Sequence, residues 1–209
     1  MRTGASMSVF RFKHFEVEQS NVAMKVGTDG VLLGAWCSLD GAHRVLDLGT
    51  GTGVIALMVA ERCAAEQIVG VDIDDAAACC ASSNFARSPW AARLHARRQA
   101  AQTIEGEMFD VIVSNPPYIK TEEIDTLMPE VRNHEPMMAL DGLEDGLHFY
   151  RLISKQAKDY LPGGGMLFFE IGYDQGEEVQ QIMLENGYQE VHLVKDFAGL
   201  DRVVYGVKI

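Results

Sequence analysis

Residues 45–53 of the chain read Val-Leu-Asp-Leu-Gly-Thr-Gly-Thr-Gly and give the strongest indication of its architecture. The first four form a short apolar run typical of a buried strand, and residues 54–63 continue as a helical run. The three glycines between them, in GxGxG spacing, permit a tight turn and a close approach of backbone to ligand. Strand, glycine loop and helix in this order are typical of a Rossmann-like nucleotide-binding unit. We therefore predict an α/β domain with Gly49, Gly51 and Gly53 at its cofactor site.

Two acidic residues accompany this loop on predicted strands. Asp72 follows the apolar residues 68–71, about 20 residues beyond the loop, where a carboxylate can accept hydrogen bonds from ribose hydroxyls. Asp47 lies inside the strand that precedes the loop. It either orients the amino end of the ligand or caps the glycine loop, and the sequence favours neither. Both acids are predicted as cofactor-binding residues.

A second motif, Ser-Asn-Pro-Pro-Tyr, occupies residues 114–118 directly after the apolar run at residues 109–113. Its two prolines end the strand abruptly, because each lacks a backbone donor and has a fixed φ angle. The Asn115 side-chain oxygen and the Pro116 carbonyl are then held at the carboxyl edge of the sheet, where open α/β sheets bind their ligands.

These two acceptors suit a planar NH2 group, as in an amide or an aminopurine, whose delocalised lone pair makes it a poor nucleophile. Accepting its hydrogens favours a more localised lone pair, and Tyr118 can stack on the planar group. Fixed dipoles then stabilise developing charge without a metal or a strong base. Taken alone, the motif is equally consistent with a turn capped by Asn115. The glycine loop and Asp72 favour the catalytic interpretation, with Asn115, Pro116 and Tyr118 as catalytic residues.

The chain has 209 residues, of which 47% are hydrophobic and 23% charged, as in ordinary globular proteins. This length suits one domain, which we place at residues 9–209, after a disordered leader at residues 1–8. No apolar run approaches the length of a membrane span, and the leader has no signal-peptide core. The four cysteines have neither disulfide nor zinc spacing, and the six histidines are scattered. We expect a cytoplasmic monomer that binds neither metal nor membrane.

The net charge is −12, and the acidity is concentrated in residues 113–209, which hold 8 basic and 17 acidic residues. Such a chain is a poor default partner for a polyanion. One basic group with interleaved aromatic side chains is the exception. It forms either a small surface for nucleic acid or, as we favour, a solvated helix end followed by a strand edge. Its members are Arg87, Trp90, Arg93, His95, Arg97 and Arg98.

The remaining elements follow from periodicity and turn signals. Residues 9–17 alternate apolar and charged side chains, which predicts one half-exposed strand. Thr28 or Asp29 is expected to cap a helix over residues 30–36, and Asp74 to cap the helix that follows it. Further helices are predicted at residues 75–86, 122–131, 147–161 and 177–185, and further strands at residues 166–171, 191–194 and 203–207.

The segment at residues 120–146 follows the catalytic strand, is polar, and contains proline and glycine. Its position predicts a lid or an acceptor-binding loop, with an ordinary surface connection as the alternative. Within it, His134 is expected to be a surface histidine and not a base. Glu170, on a later buried strand, is expected to have a partner and a structural role, because an unpaired buried carboxylate is costly.

The motifs DLGTGTG, VDID and SNPPY together resemble the class I AdoMet-dependent methyltransferases of the NPPY amino-methylating group. This resemblance implies a Rossmann-like, seven-stranded, mostly parallel sheet with an antiparallel last strand and helices on both faces. It also implies that AdoMet lies over the three loop glycines, with its ribose on Asp72 and its methyl group towards Asn115 and Tyr118. The product would be S-adenosyl-L-homocysteine.

The two parts of the chain resemble different subfamilies. Residues 8–112 are similar to bacterial tRNA adenine-N6 methyltransferases, and residues 113–209 are similar to release-factor glutamine-N5 methyltransferases. This change suggests a recombined or engineered chain, with a natural mosaic as the alternative. The matching positions are residues 10–13, 23–36 and 88–91 for the first group, and residues 135–136, 139–142, 145–147, 150–151, 170–172, Gln175, 195–196, 199 and 201–202 for the second.

The chain also departs from both subfamilies. The glutamine enzymes have an N-terminal helical domain that holds the release factor, and the tRNA enzymes have a basic segment after NPPY; we find neither. In both groups an acid usually follows the third strand and meets the adenine of AdoMet. Residues 98–101 contain no acid at this place, and Gln99 is the candidate substitute.

Three hypotheses follow. The first, which we favour, is an AdoMet-dependent N-methyltransferase acting on a glutamine of a protein release factor. The second is the same chemistry on an adenine of tRNA. The third is an AdoMet-binding scaffold with impaired acceptor recognition. A dehydrogenase is disfavoured by NPPY and by the GxGxG spacing.

Overall fold

The computed structural model describes residues 9–20, 22, 25–128 and 136–209. The predicted leader at residues 1–8 and the predictions for His134 and Glu135 lie outside these residues. The strands are β1 (Val9–Arg11), β2 (Glu16–Glu18), β3 (Arg44–Leu48), β4 (Gln67–Asp72), β5 (Leu94–Arg98), β6 (Val111–Ser114), β7 (Met166–Glu170), β8 (Tyr188–Lys195) and β9 (Asp201–Lys208). The helices are α1 (Thr28–Trp36), α2 (Val54–Arg62), α3 (Asp75–Arg87), α4 (Met137–Leu140), α5 (His148–Gln156) and α6 (Gly176–Glu185).

Seven strands form the main sheet in the order β5-β4-β3-β6-β7-β9-β8. The pairs from β5 to β7 are parallel, whereas β9 runs antiparallel to both of its neighbours. The predicted seven-stranded, mostly parallel sheet with a reversed last strand is therefore confirmed. The strand order reverses between β3 and β6, and in such sheets ligands bind beyond the carboxyl ends of the strands at this point.

Both faces of the sheet are covered. Side chains alternate along β3, so that Val45 packs with α1, α2 and α3 while Leu46 packs with α5 and α6. Burial on both faces explains why β3, β4 and β6 read as continuous apolar runs and not as alternating ones. The predicted helices on both faces are confirmed.

The predicted single strand at residues 9–17 is wrong. The segment forms a hairpin instead, in which β1 pairs antiparallel with β2. The Phe12 and Phe15 rings stack at 4.4 Å, and the Phe12 N–H donates to the Phe15 carbonyl at 2.9 Å. The close approach of the two aromatic rings turns the chain back at residues 12–15, where alternation alone predicts continuation.

Some helix boundaries also differ from the prediction. Helix α1 begins at Thr28 with Gly27 at the N-cap position, so that Thr28 and Asp29 lie in its first turn and do not precede it. The expected cap of α3 is confirmed, because the Asp74 side chain accepts from the N–H groups of Ala76 and Ala77. The helix expected over residues 147–161 is shorter, since α5 passes into a 3-10 turn at Ala157–Asp159. The helix expected over residues 122–131 is a 3-10 helix at Thr121–Thr126, and residues 129–131 lie outside the described part.

No helix among the described residues combines the length and apolarity that crossing a bilayer requires.

Candidate active site

The glycine loop leaves β3 at the carboxyl edge of the sheet and enters α2. Gly49, Gly51 and Gly53 have φ angles of 72°, 55° and 83°, which L-residues with side chains rarely adopt. A Cβ on Gly49 or Gly51 would meet no atom within 4 Å, so this part of the loop borders open space. A Cβ on Gly53 would lie 2.5 Å from Phe85, so Gly53 is also required by packing against α3.

Asp47, in strand β3, contacts the glycine loop directly. Its carboxylate is fully buried and accepts a 2.7 Å hydrogen bond from the Thr50 hydroxyl. A Cβ at Gly70 of the neighbouring strand would lie 2.6 Å from that hydroxyl oxygen, so only glycine leaves room for it. Desolvation by burial raises the pKa of Asp47 to about 7, although the hydrogen bond from Thr50 lowers it. Of the two interpretations of Asp47, its contact with the glycine loop is observed, and its role towards a ligand stays a prediction.

Asp72 joins the end of β4 to the glycine loop. One carboxylate oxygen accepts from the Gly51 N–H at 2.9 Å, and the other accepts from the Asp74 N–H at 2.9 Å. A carboxylate has about four lone-pair sites, so two acceptor positions remain for a ligand. Gln99 lies next to it, because the Gln99 N–H donates to the Asp72 carbonyl at 2.9 Å, while the Gln99 side-chain amide donates to Thr103.

The NPPY turn lies beside this loop because β6 pairs directly with β3. The buried Ser114 hydroxyl donates to the carbonyl of Leu48 at 3.0 Å, which joins the ends of the two strands. Pro116 is buried and Asn115 is half-buried. Within the described part of the chain, nothing hydrogen bonds to the Asn115 side chain, so its oxygen is available as an acceptor. The motif predicts a catalytic role for Asn115 and Pro116. It does not indicate that Ser114 joins the ends of the two strands.

Tyr118 is held by residues far from it in sequence. Its ring packs partly buried against the core beneath α5 and α6. Its carbonyl accepts from the side-chain amide of Gln175, which lies just before α6. Sequence reasoning missed this contact, because no spacing relates a residue after β7 to the turn after β6.

The segment after the turn is tied back to it. Ile119 and Asp141 form a parallel bridge, in which the Ile119 N–H donates to Leu140 and the Gly142 N–H donates to Ile119. The Asp141 carboxylate accepts from Thr121 at 2.7 Å. The described parts of residues 120–146 are therefore anchored beside the turn, and the lid function predicted for the segment stays untested.

The arginine group at residues 87–98 is largely occupied by structural contacts. Arg93 donates to the carbonyls of Ala60 and Ala65, and Arg97 pairs with Glu107. Two more pair within or near α3: Arg87 donates to Asn84, and Arg98 lies 3.8 Å from Asp75. This arrangement favours the structural interpretation of the group over the nucleic-acid one.

The segments that follow β6 and β7 expose mainly acidic and apolar side chains, with Lys120 paired to Glu123 at 3.5 Å. Exposed carboxylates and exposed apolar side chains follow the ends of β6 and β7. The acids are Glu122, Glu123, Glu144, Glu177 and Glu178, and the apolar side chains are Met137, Met138, Leu143 and Tyr173. Across residues 9–20, 22, 25–128 and 136–209, no group of three or more His, Cys, Asp or Glu side chains is placed to hold a metal ion.

The strand order and the ligand edge define a Rossmann-like α/β domain with a nucleotide-type glycine loop. A solved methyltransferase from Pyrococcus furiosus has this fold, with a TM-score of 0.56 and 20% identity over 81% of this chain and 79% of that one. The family model described as "Methyltransferase small domain" matches residues 26–132, just over half of the chain. The chain belongs to this methyltransferase family.

Two curated relatives match different shares of the chain. A release factor glutamine methyltransferase from Agrobacterium fabrum is 46% identical over 168 residues, which cover 80% of this chain and 58% of that protein. A tRNA1(Val) (adenine(37)-N6)-methyltransferase from Bacteroides thetaiotaomicron is 56% identical over 111 residues, which cover 52% of this chain and 47% of that protein. The chain thus spans only about half the length of these relatives.

Proposed function

We propose that the chain is an AdoMet-dependent N-methyltransferase that acts on a planar NH2 nitrogen, and that its acceptor is the N5 of a glutamine in a protein release factor. The observation that carries this proposal is the position of Asn115. No described residue donates a hydrogen bond to its side-chain oxygen, and Ser114 joins its turn to Leu48, directly before the glycine loop.

The residues of the loop fit AdoMet. Gly49 and Gly51 offer backbone that borders open space, and Asp72 keeps acceptor positions for the ribose hydroxyls. One Asp47 oxygen is buried with no hydrogen-bond partner among the described residues, which suits the amino end of the cofactor. Gln99 is the proposed neighbour of the adenine, and Gly53 starts the helix beneath the loop. When bound, AdoMet supplies an electrophilic methyl group.

The chain's own contribution is orientation and fixed dipoles. The Asn115 oxygen and the Pro116 carbonyl accept the two hydrogens of the acceptor NH2, which directs its lone pair towards the cofactor side of the edge. Tyr118 stacks on the planar amide. The turn that carries these dipoles is fixed by its two prolines and by the bond from Gln175 to Tyr118, so they stabilise the charge that develops on the nitrogen, which then releases one proton to solvent.

The surface around Asn115 supports a protein acceptor. Exposed carboxylates and exposed methionines follow β6 and β7, and carboxylates repel a phosphate backbone. An acidic surface with apolar side chains suits a basic protein segment that carries a glutamine. The relatives named as release factor glutamine methyltransferases also match the larger share of the chain.

A second candidate is the adenine N6 of tRNA. The specific observation in its favour is the 56% identity of about half the chain to a relative named as a tRNA adenine methyltransferase. Adenine N6 is also a planar NH2 group, so the roles of Asn115, Pro116 and Tyr118 would be unchanged.

Transfer from methyl-labelled AdoMet tests both candidates, with a purified release factor and unmodified bulk tRNA as acceptors. We expect label on the protein, and no label after its acceptor glutamine is replaced by glutamate. Asn115→Ala should lower transfer at least ~100-fold at parental AdoMet affinity, since a lost dipole of this kind costs that much. Asn186→Ala, in the turn that ends α6, is the matched control and should be unaffected.

Label on tRNA alone would contradict the glutamine acceptor and support the adenine acceptor. AdoMet binding with no label on either acceptor would reduce the function to that of a cofactor-binding scaffold.

A further inference from the structure

Gln175 lies between β7 and α6, and it is 8% exposed. Its amide nitrogen donates to the Tyr118 carbonyl at 3.0 Å and to the Gly146 carbonyl at 3.5 Å. Its amide oxygen accepts from the Gly172 N–H at 3.1 Å and lies 3.4 Å from the Tyr150 hydroxyl, whose single proton also faces the Glu170 carbonyl at 3.1 Å. Because two carbonyls lie on one side and the Gly172 N–H on the other, only one orientation of the amide satisfies these three groups.

Glycines surround this amide where a side chain would not fit. A Cβ on Gly146 would lie 2.8 Å from the Gln175 nitrogen, and a Cβ on Gly172 would lie 2.8 Å from its oxygen. A Cβ on Gly142 would lie 2.8 Å from the Cα of Tyr118. The backbone of the NPPY turn, the end of the following segment and the β7–α6 connection therefore all meet at Gln175.

We infer that Gln175 is a positioning residue for the proposed methyl transfer, and this inference rests on that function. By holding the Tyr118 carbonyl it fixes the exit of the turn that carries Asn115. The two intervening prolines have fixed φ angles, so a constraint at Tyr118 is transmitted to Asn115 with little slack. Transfer is sensitive to such placement, because displacements of about 1 Å in a reacting pair can cost 100-fold in rate.

Two substitutions test the hydrogen bonds of the Gln175 amide, one by changing its nitrogen and one by removing the whole amide. Gln175→Glu keeps the oxygen that faces Gly172 and, when its carboxyl is ionised, replaces the donor that faces Tyr118 by an acceptor, so it is assayed at pH 7 and at pH 9. Gln175→Met keeps the length and removes all polar contacts. We expect kcat to fall at least 30-fold in both variants, with the AdoMet dissociation constant within twofold of the parent. Gln181→Glu and Gln181→Met, on the exposed face of α6, are the matched controls and should keep parental kcat.

A second readout does not depend on any acceptor. The amides of Ile119 and Gly142, which are hydrogen bonded across the bridge beside the turn, should exchange their hydrogens at least tenfold faster in Gln175→Glu. The amides of β7 should exchange at the parental rate. Faster exchange confined to the bridge beside the turn is the signature of a positioning role. The melting temperature does not discriminate, because the loss of partners for buried backbone groups lowers it in either case.

Parental kcat in Gln175→Met would overturn the inference, because this side chain cannot hold the Tyr118 carbonyl. So would faster exchange throughout the sheet, which would make Gln175 a residue of the fold alone. If the parent chain transfers no methyl group, the proposed function fails, whereas the local exchange of Ile119 and Gly142 still decides whether Gln175 holds the turn.

Discussion

Asp47 is a carboxylate whose pKa is strongly affected by burial. Its pKa is raised from 3.8 to about 7, so between these values the folded state binds one proton more than the unfolded state. The stability that this group contributes is complete below pH 3.8 and is lost as the pH rises to about 7. The residue that contacts the glycine loop thereby also makes the stability of the fold depend on pH between 3.8 and about 7.

Asp47→Asn tests this directly. The amide does not titrate, so the difference in the free energy of unfolding between variant and parent should change in the variant's favour by about 1.4 kcal/mol per pH unit up to pH 7 and then level off. Urea unfolding of both proteins at pH 5, 6, 7 and 8 measures it, and other titrating groups cancel in the difference. A difference that is constant with pH would mean that Asp47 is ionised in the folded protein.

At the scale of elements, Asn84 couples three parts of the chain. Its side-chain oxygen accepts from the Glu18 N–H at 2.9 Å, and its nitrogen donates to the carbonyls of Glu18 at 3.0 Å and of Thr52 at 2.8 Å. The asparagine, 1% exposed, therefore ties the β1–β2 hairpin and the glycine loop to α3. The position of Asn84 late in the predicted helix at residues 75–86 favours a structural role, and these contacts agree.

Asn84→Ala should lower the free energy of unfolding by about 2 kcal/mol, because it leaves buried backbone groups unsatisfied. It should also weaken AdoMet binding, since Thr52 belongs to the glycine loop. Urea unfolding and calorimetric titration measure the two effects. Ser83→Ala, exposed on the same helix, should change neither by more than about 0.5 kcal/mol. Parental stability and affinity in Asn84→Ala would show that the three elements are independent.

The strands and turns also show which parts of the fold can be predicted from the sequence. Residues 45–53 and 109–118 predict strands β3 and β6 and the turns that follow them, because apolar runs, glycines and prolines act locally. The hairpin turn at residues 12–15 depends on a ring contact, and the placement of Gln175 depends on the pairing of β6 with β7. Contacts between segments distant in sequence leave no periodic signal, so they are found only in the fold.

At the scale of the whole molecule, similarity and charge favour different acceptors for different parts of the chain. Residues 8–112, whose motifs resemble those of the tRNA enzymes, include an arginine group. Its members pair with Glu107 and Asp75 or donate to Asn84 and to backbone carbonyls. The second half contributes the exposed carboxylates around Asn115. A net charge of −12 with the acids at the ligand edge outweighs the resemblance of the first half, which is why we favour a protein acceptor.

This balance of charge predicts weak binding of bulk tRNA. Carboxylates at the ligand edge repel phosphates. We therefore expect a dissociation constant for tRNA above about 10 µM even at low salt, as measured by fluorescence anisotropy. Reversing two edge charges in Glu122→Lys/Glu144→Lys should strengthen binding about tenfold, a gain that 0.2 M salt removes by screening. The control variant Asp40→Lys/Glu66→Lys has the same net charge, but its lysines precede β3 and β4 at the opposite edge, so its affinity for tRNA should rise less.

An equal rise in affinity in both variants would mean that total charge governs binding. Tight binding by the parent would mean that the acidic edge does not exclude tRNA, and the adenine acceptor would then be the better proposal.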